Sequence, residues 1–215
     1  VTTPQARRPG RRLDLDVPSV LVDTAERMFG EGGVDAVSVR AVARDAGVAP
    51  AAVFYHFASK DDLVTAVVDR RGRAVSDEMR ANLVALADSK QKTSVRDVID
   101  AVLLPLVHVI DDDPVAGLNW MKVVDWLGVT RDAAFYEAQD IEPGITALFA
   151  TCVRRATGRR SQKIGRRYGI AMFGMLHALA RADLYGYGGA VGPSGLDSDW
   201  VEQLAVFTAG GLEAP

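Results

Sequence analysis

From Ser38 to Phe57 the chain reads SVRAVARDAGVAPAAVFYHF, two short helical periods separated only by Gly47, Val48 and Ala49. Ser38 is of N-cap type, and Val39, Val42, Ala43 and Ala46 after it keep the i, i+3, i+4, i+7 spacing of one buried helix face. Gly47 closes that helix because glycine enters left-handed backbone without a Cβ clash, and Pro50 opens the next with its φ already fixed. Two short helices around a glycine corner make a helix-turn-helix. In the second helix Val53 and Phe57 share one face and are assigned to the core, and Phe54, which shares a face with Pro50, is also assigned there. Tyr55 and His56 fall to the sides and belong to no buried stripe.

The flanking sequence is helical throughout. Leu21, Ala25, Met28 and Phe29 mark a first helix from about Pro18, stopped by Gly30, Gly32 and Gly33. Ser59 and Asp62 have capping-box spacing and start a long fourth helix, 59–87, carrying Leu63, Val64, Val67 and Val68 and ending before DSKQKTS. Further helices are expected near 95–111, 114–128, 132–157, 160–186 and 197–212. AVLLPLVHVI resembles a strand but lies inside a longer helical period with no hairpin signal after it. The segment 160–186 is apolar on two sides: Tyr168, Met172, Met175, Leu176 and Leu179 form one stripe, and Ile170, Phe173, His177 and Leu184 another. A helix apolar all round is buried on both sides, the second side against another copy of the chain.

Composition narrows the classes. With 48% hydrophobic and 25% charged residues in 215, the chain can build its own core, and its one cysteine, Cys152, excludes an internal disulfide framework. No apolar run reaches membrane-span length, and VTTPQARRPGRRLDLD lacks a secretory apolar segment, so a cytoplasmic protein is expected. The net charge of −3 argues mildly against a polyanionic partner. The charge is uneven, however: residues 1–60 hold eight Lys/Arg against seven Asp/Glu, with Arg7, Arg8, Arg11 and Arg12 together at the front. Any nucleic acid would be bound locally. No phosphate loop, dinucleotide fingerprint, nucleophile elbow or HExxH motif occurs, so neither cofactor nor metal is expected.

In a helix-turn-helix the second helix enters the DNA major groove. Ala51, Ala52 and Tyr55 would face the bases, the alanines allowing close approach. Lys60, at the start of the fourth helix, would meet a phosphate where unpaired backbone N–H groups already favour an anion.

Ser38, Val42-Ala43, Ala46-Gly47-Val48-Ala49, Phe54-Tyr55-His56-Phe57 and Lys60-Asp61-Asp62-Leu63 together resemble the TetR-type regulators over about 18–68. Two positions depart from that pattern: Ala49 stands where a serine usually caps the recognition helix, and Phe54 where a tyrosine is usual. The resemblance implies an all-α chain: a basic arm (1–17), a DNA-binding domain (18–60) and a helical effector-binding and dimerisation domain (61–215). It implies DNA contacts at Ser38, Tyr55, His56 and Lys60, and Arg40 on the second helix joins that set. It also implies a homodimer joined through the last two helices, with candidates Ile170, Phe173, His177, Trp200, Leu204 and Phe207. A small apolar or aromatic effector would sit among Leu103, Val107, Trp120, Val124, Phe149 and Met172. Trp120 and Trp126, six apart, point to different sides, so at most one lines a pocket. The implied function is a ligand-responsive repressor on a near-palindromic operator. The alternatives are a helical enzyme, for which His108, Asp111, Asp112, Asp113 and Asp125 offer acid and base groups, and a helical protein-interaction module.

Overall fold

The computed structural model describes residues 16–130, 144–158 and 163–214. The arginines expected to form a basic arm, and the beginnings of the helices expected at 132 and 160, lie outside them.

The described residues form nine α-helices: α1 (Val17–Gly32), α2 (Val39–Asp45), α3 (Pro50–His56), α4 (Lys60–Asp88), α5 (Val95–Asp112), α6 (Pro114–Thr130), α7 (Ile145–Thr157), α8 (Lys163–Ala180) and α9 (Ser198–Glu213). The all-α expectation holds. AVLLPLVHVI is helical within α5, with Pro105 buried inside it. Local rules set most helix starts. Ser59 accepts from the Asp62 N–H at 3.1 Å while the Asp62 carboxylate accepts from the Ser59 N–H at 3.0 Å, and Ser94 and Asp97 repeat this box at α5.

Helix α8 stops at Ala180 rather than near 186. The chain tightens there through i to i−3 bonds at Arg181 and Ala182, and the Ala190 N–H then donates back to the Ala182 carbonyl at 2.6 Å. Leu184 therefore leaves the stripe to which periodicity assigned it and is half-exposed. Beyond it a two-residue antiparallel pair, β1 (Val191–Gly192) with β2 (Gly195–Leu196), docks on α5, where the Asp111 carboxylate accepts the Leu196 N–H at 2.8 Å. Gly195 is required: its φ is +106°, and a Cβ would lie 2.1 Å from Asp111 Oδ1.

One apolar core runs from Leu21, Ala25 and Phe29 of α1 through Leu63 and Val67 of α4 to Leu103, Met121, Phe149 and Leu179 in the later helices. Helix α6 is packed closely on two sides. Gly30 of α1 abuts Asn119, to which an added Cβ would come within 2.4 Å, and Gly117 abuts α5, where a Cβ would lie 2.1 Å from the Val109 carbonyl oxygen. Gly30, expected to stop α1, instead lies inside it as the contact that lets α1 reach α6. The Trp120 indole N–H donates to the Val68 carbonyl at 3.1 Å, joining α6 to α4.

Between α1 and α4 the buried Glu26 carboxylate accepts from Arg71 at 3.3 Å, while Glu26 Oε2 and Arg71 Nε have no hydrogen-bond partner among the described residues. Burial raises the Glu26 pKa above the ordinary glutamate range, and Arg71 only partly opposes that. At the far end, Arg96 of α5 binds Glu202 of α9 through two nitrogens at 2.6 and 2.7 Å, holding the Glu202 carboxyl below the ordinary range.

Candidate nucleic-acid interface

Helices α2 and α3 form the angled pair expected from sequence. The Ser38 hydroxyl accepts from the Ala41 N–H at 3.2 Å, and Gly47 takes φ +68° at the corner while the Val48 N–H returns to the Ala43 carbonyl at 3.0 Å. Ala49 provides no side-chain cap, and Pro50 fills the first turn of α3 in its place.

On α3, Val53 is fully buried and Phe57 packs partly against the core. Phe54 does not: it is 52% exposed, which overturns its assignment to the core. In so short a helix, Val53 and Phe57 already occupy the inward line, and Phe54, one residue further round, turns outward. Tyr55 is 84% exposed, with the His56 ring edge-on at 5.0 Å between centroids. Ala51 is exposed and Ala52 half-buried. Arg40 and Arg44 on α2 are exposed and pair with no carboxylate among the described residues. Arg27 of α1 pairs with Asp45, fastening α1 to α2.

Lys60, the first residue of α4, donates to the Asp35 carbonyl at 3.4 Å and lies 6.0 Å from the centre of the Phe29 ring. The carboxylate of Asp35 accepts the Trp126 indole N–H at 3.0 Å. Asp35 thus stands between a candidate DNA contact and α6, a link that sequence reading missed. Its partners are distant in the chain, and no local pattern joins them.

Among the candidates for an effector site, Leu103, Val107, Trp120, Val124 and Phe149 are buried and Met172 is half-buried. They come from α5, α6, α7 and α8 and belong to the one core, with Tyr168 stacking obliquely on Phe149 at 4.8 Å. Trp126 points elsewhere, to Asp35, as its spacing from Trp120 required. Of the dimer candidates, Ile170 is 75% and Phe207 82% exposed. Phe173 faces inward on α6, where a Cβ on Gly128 would meet its ring at 3.1 Å, and Trp200 donates to the Tyr187 carbonyl at 2.7 Å. Leu204 packs partly against the core. His177 is exposed beside the buried Asp125 carboxylate at 3.2 Å, and His108 is on the surface against Glu78 at 3.4 Å. Among the described residues no group of three or more His, Cys, Asp or Glu could hold a metal ion, and no helix is long and apolar enough to cross a membrane.

Residues 21–67, from α1 into α4, match the family described as bacterial regulatory proteins, tetR family. The chain is 35% identical over 74 residues to the HTH-type transcriptional regulator BetI of Rhizobium meliloti (strain 1021), a match covering 34% of this chain and 36% of BetI. The chain therefore spans about a third of the length of that curated relative. The fold extends further. A TetR-family transcription regulator from Shewanella sp. PV-4 superposes with a TM-score of 0.61 at 14% identity, covering 90% of this chain and 96% of that one. AmtR of Mycobacterium smegmatis superposes at 0.57 and 15% identity, covering 98% and 91%. The glycine-cornered helix pair and the capped start of α4 thus lie in a segment, 21–67, that matches the tetR family, and the described helices share the fold of solved TetR-family regulators.

Proposed function

We propose that this chain is a DNA-binding transcriptional regulator, a repressor that acts as a homodimer and is released by a small, largely apolar effector. The observation that carries this reading is the outward presentation of α3, with Tyr55 almost wholly in solvent, preceded in the chain by exposed Arg40 and Arg44 of α2 and followed by Lys60 at the start of α4. Tyr55, His56, Ala51 and Ala52 would face bases, and Ser38, Arg40 and Lys60 phosphates. Ile170 and Phe207, large apolar side chains in water on α8 and α9, support a second copy of the chain covering those faces. The dimer would set two α3 helices about 34–36 Å apart on a near-palindromic site.

The apolar set of buried Leu103, Val107, Trp120, Val124 and Phe149 with half-buried Met172 supports an effector of the same character. A ligand favouring a displaced α6 would act on the DNA-binding helices through Gly30–Asn119 and Asp35–Trp126. The test is binding to a duplex from upstream of the protein's own coding region, followed across salt concentration. Affinity falling steeply with salt, and exceeding that for random duplex, supports the proposal. Equal, weak binding to both would favour a helical enzyme or interaction module instead.

A further inference from the structure

The face that α3 turns away from the core is apolar and uncharged. Pro50, Ala51, Phe54 and Tyr55 are all exposed, and their spacing puts them on one side of the helix. The Tyr55 hydroxyl is the one polar group these four side chains offer. Helix α3 reads PAAVFYH and contains no Arg, Lys, Asn or Gln, the side chains that make paired hydrogen bonds to guanine or adenine edges. The nearest cations in the chain stand on the neighbouring helices and not on α3: Arg40 and Arg44 on α2, and Lys60 at the start of α4. A major groove pressed against α3 would be held at its phosphates by those helices and would meet the bases with hydrocarbon.

Among base edges in the major groove, the one apolar group is the C5-methyl of thymine. We propose that Phe54, with Ala51 beside it, reads thymine methyl groups, so that the half-site is defined by the positions of its T·A pairs and not by a charged contact to guanine. This rests on the DNA-binding reading above and specifies what that site recognises. Phe54 is half in solvent while Val53 next to it is fully buried, so its ring is free to pack against DNA without leaving the core. Tyr55 and His56 then supply single hydrogen bonds at the edge of the same footprint.

The experiment selects a preferred duplex from a random pool and replaces its thymines by deoxyuridine, which removes the methyl and leaves every hydrogen-bonding group in place. Wild type should lose about fourfold in affinity for each contacted methyl, or about fifteenfold for one contact in each of two half-sites. Phe54→Ala should bind the thymine duplex more weakly and discriminate little between the two. Selective binding by wild type that is equal on thymine and deoxyuridine duplexes overturns the methyl readout alone. Failure to select any sequence overturns it together with the DNA-binding proposal.

Discussion

The indole N–H of Trp126, in α6, donates to the carboxylate of Asp35 across 3.0 Å, and the backbone carbonyl of that same Asp35 receives the Lys60 ammonium at 3.4 Å. One turn residue thus connects a helix of the larger helical part to the base of α4. Trp126→Phe keeps a benzene ring and deletes the donor together with the pyrrole that carries it. Urea unfolding should show a loss of about 1 kcal/mol, the usual net worth of such a bond. Amide exchange should quicken at residues 33–37, and unchanged exchange there would mean that the contact does not hold the turn.

Gly30 and Gly72 both lie inside helices, yet alanine should act in opposite directions. At Gly30 the new Cβ would fall 2.6 Å from the Asn119 Cα, so backbone must move, and overpacking of about 1–3 kcal/mol should outweigh the better helix propensity. At Gly72 the nearest atom, on Trp120, is 3.7 Å away, an ordinary contact, and alanine should stabilise by about 0.5–1 kcal/mol. Denaturant midpoints check both.

Glu26 gives a pH dependence with a definite sign. Its carboxyl titrates above the ordinary range when folded, so between about pH 4.3, the unfolded value, and the raised folded value the native state holds more protons than the unfolded one. Its stabilising contribution is complete below that window and is lost as pH rises through it. Glu26→Gln should remove this decline, so that from pH 4 to 8 the stability of the variant falls less than that of wild type. A parallel pair of profiles would contradict the assignment.

Phe207→Asp changes a residue 82% exposed on α9 and should leave protomer folding intact. Sedimentation should show a dimer for wild type and a monomer for the variant, with binding to a palindromic duplex lost. A dimer that survives both this change and Ile170→Asp would place the interface on other faces.

What the sequence made legible was local. Ser38, Gly47, Pro50 and the Ser59–Asp62 box each act within four residues, and the helices begin and turn where those residues require. What it hid was set by partners distant in the chain. Gly30 looked like a stop because its reason, Asn119, lies on another helix. The end of α8 at Ala180 depends on Ala190 returning to Ala182 and on Asp111 receiving the hairpin. Phe54 was misplaced because a helix as short as α3 contains too few turns for periodicity to separate its inner line from the next residue round. At the candidate interface the sequence marked Tyr55, His56 and Lys60, but Asp35 beneath Lys60 was visible only in three dimensions.

Lys60 and Tyr55 separate charge from sequence at the candidate interface. Lys60→Ala should weaken preferred and random duplex alike and make the slope of log K against log salt shallower by about one unit. Tyr55→Ala should leave the slope nearly unchanged. The most direct measurement of the account is therefore the ratio of affinities for preferred and random duplex, taken for wild type and Tyr55→Ala as folded dimers. The ratio should fall by roughly 5- to 150-fold, equivalent to about 1–3 kcal/mol of lost discrimination. A ratio unchanged by removal of the Tyr55 ring, 84% exposed on α3, would contradict the claim that this helix reads DNA.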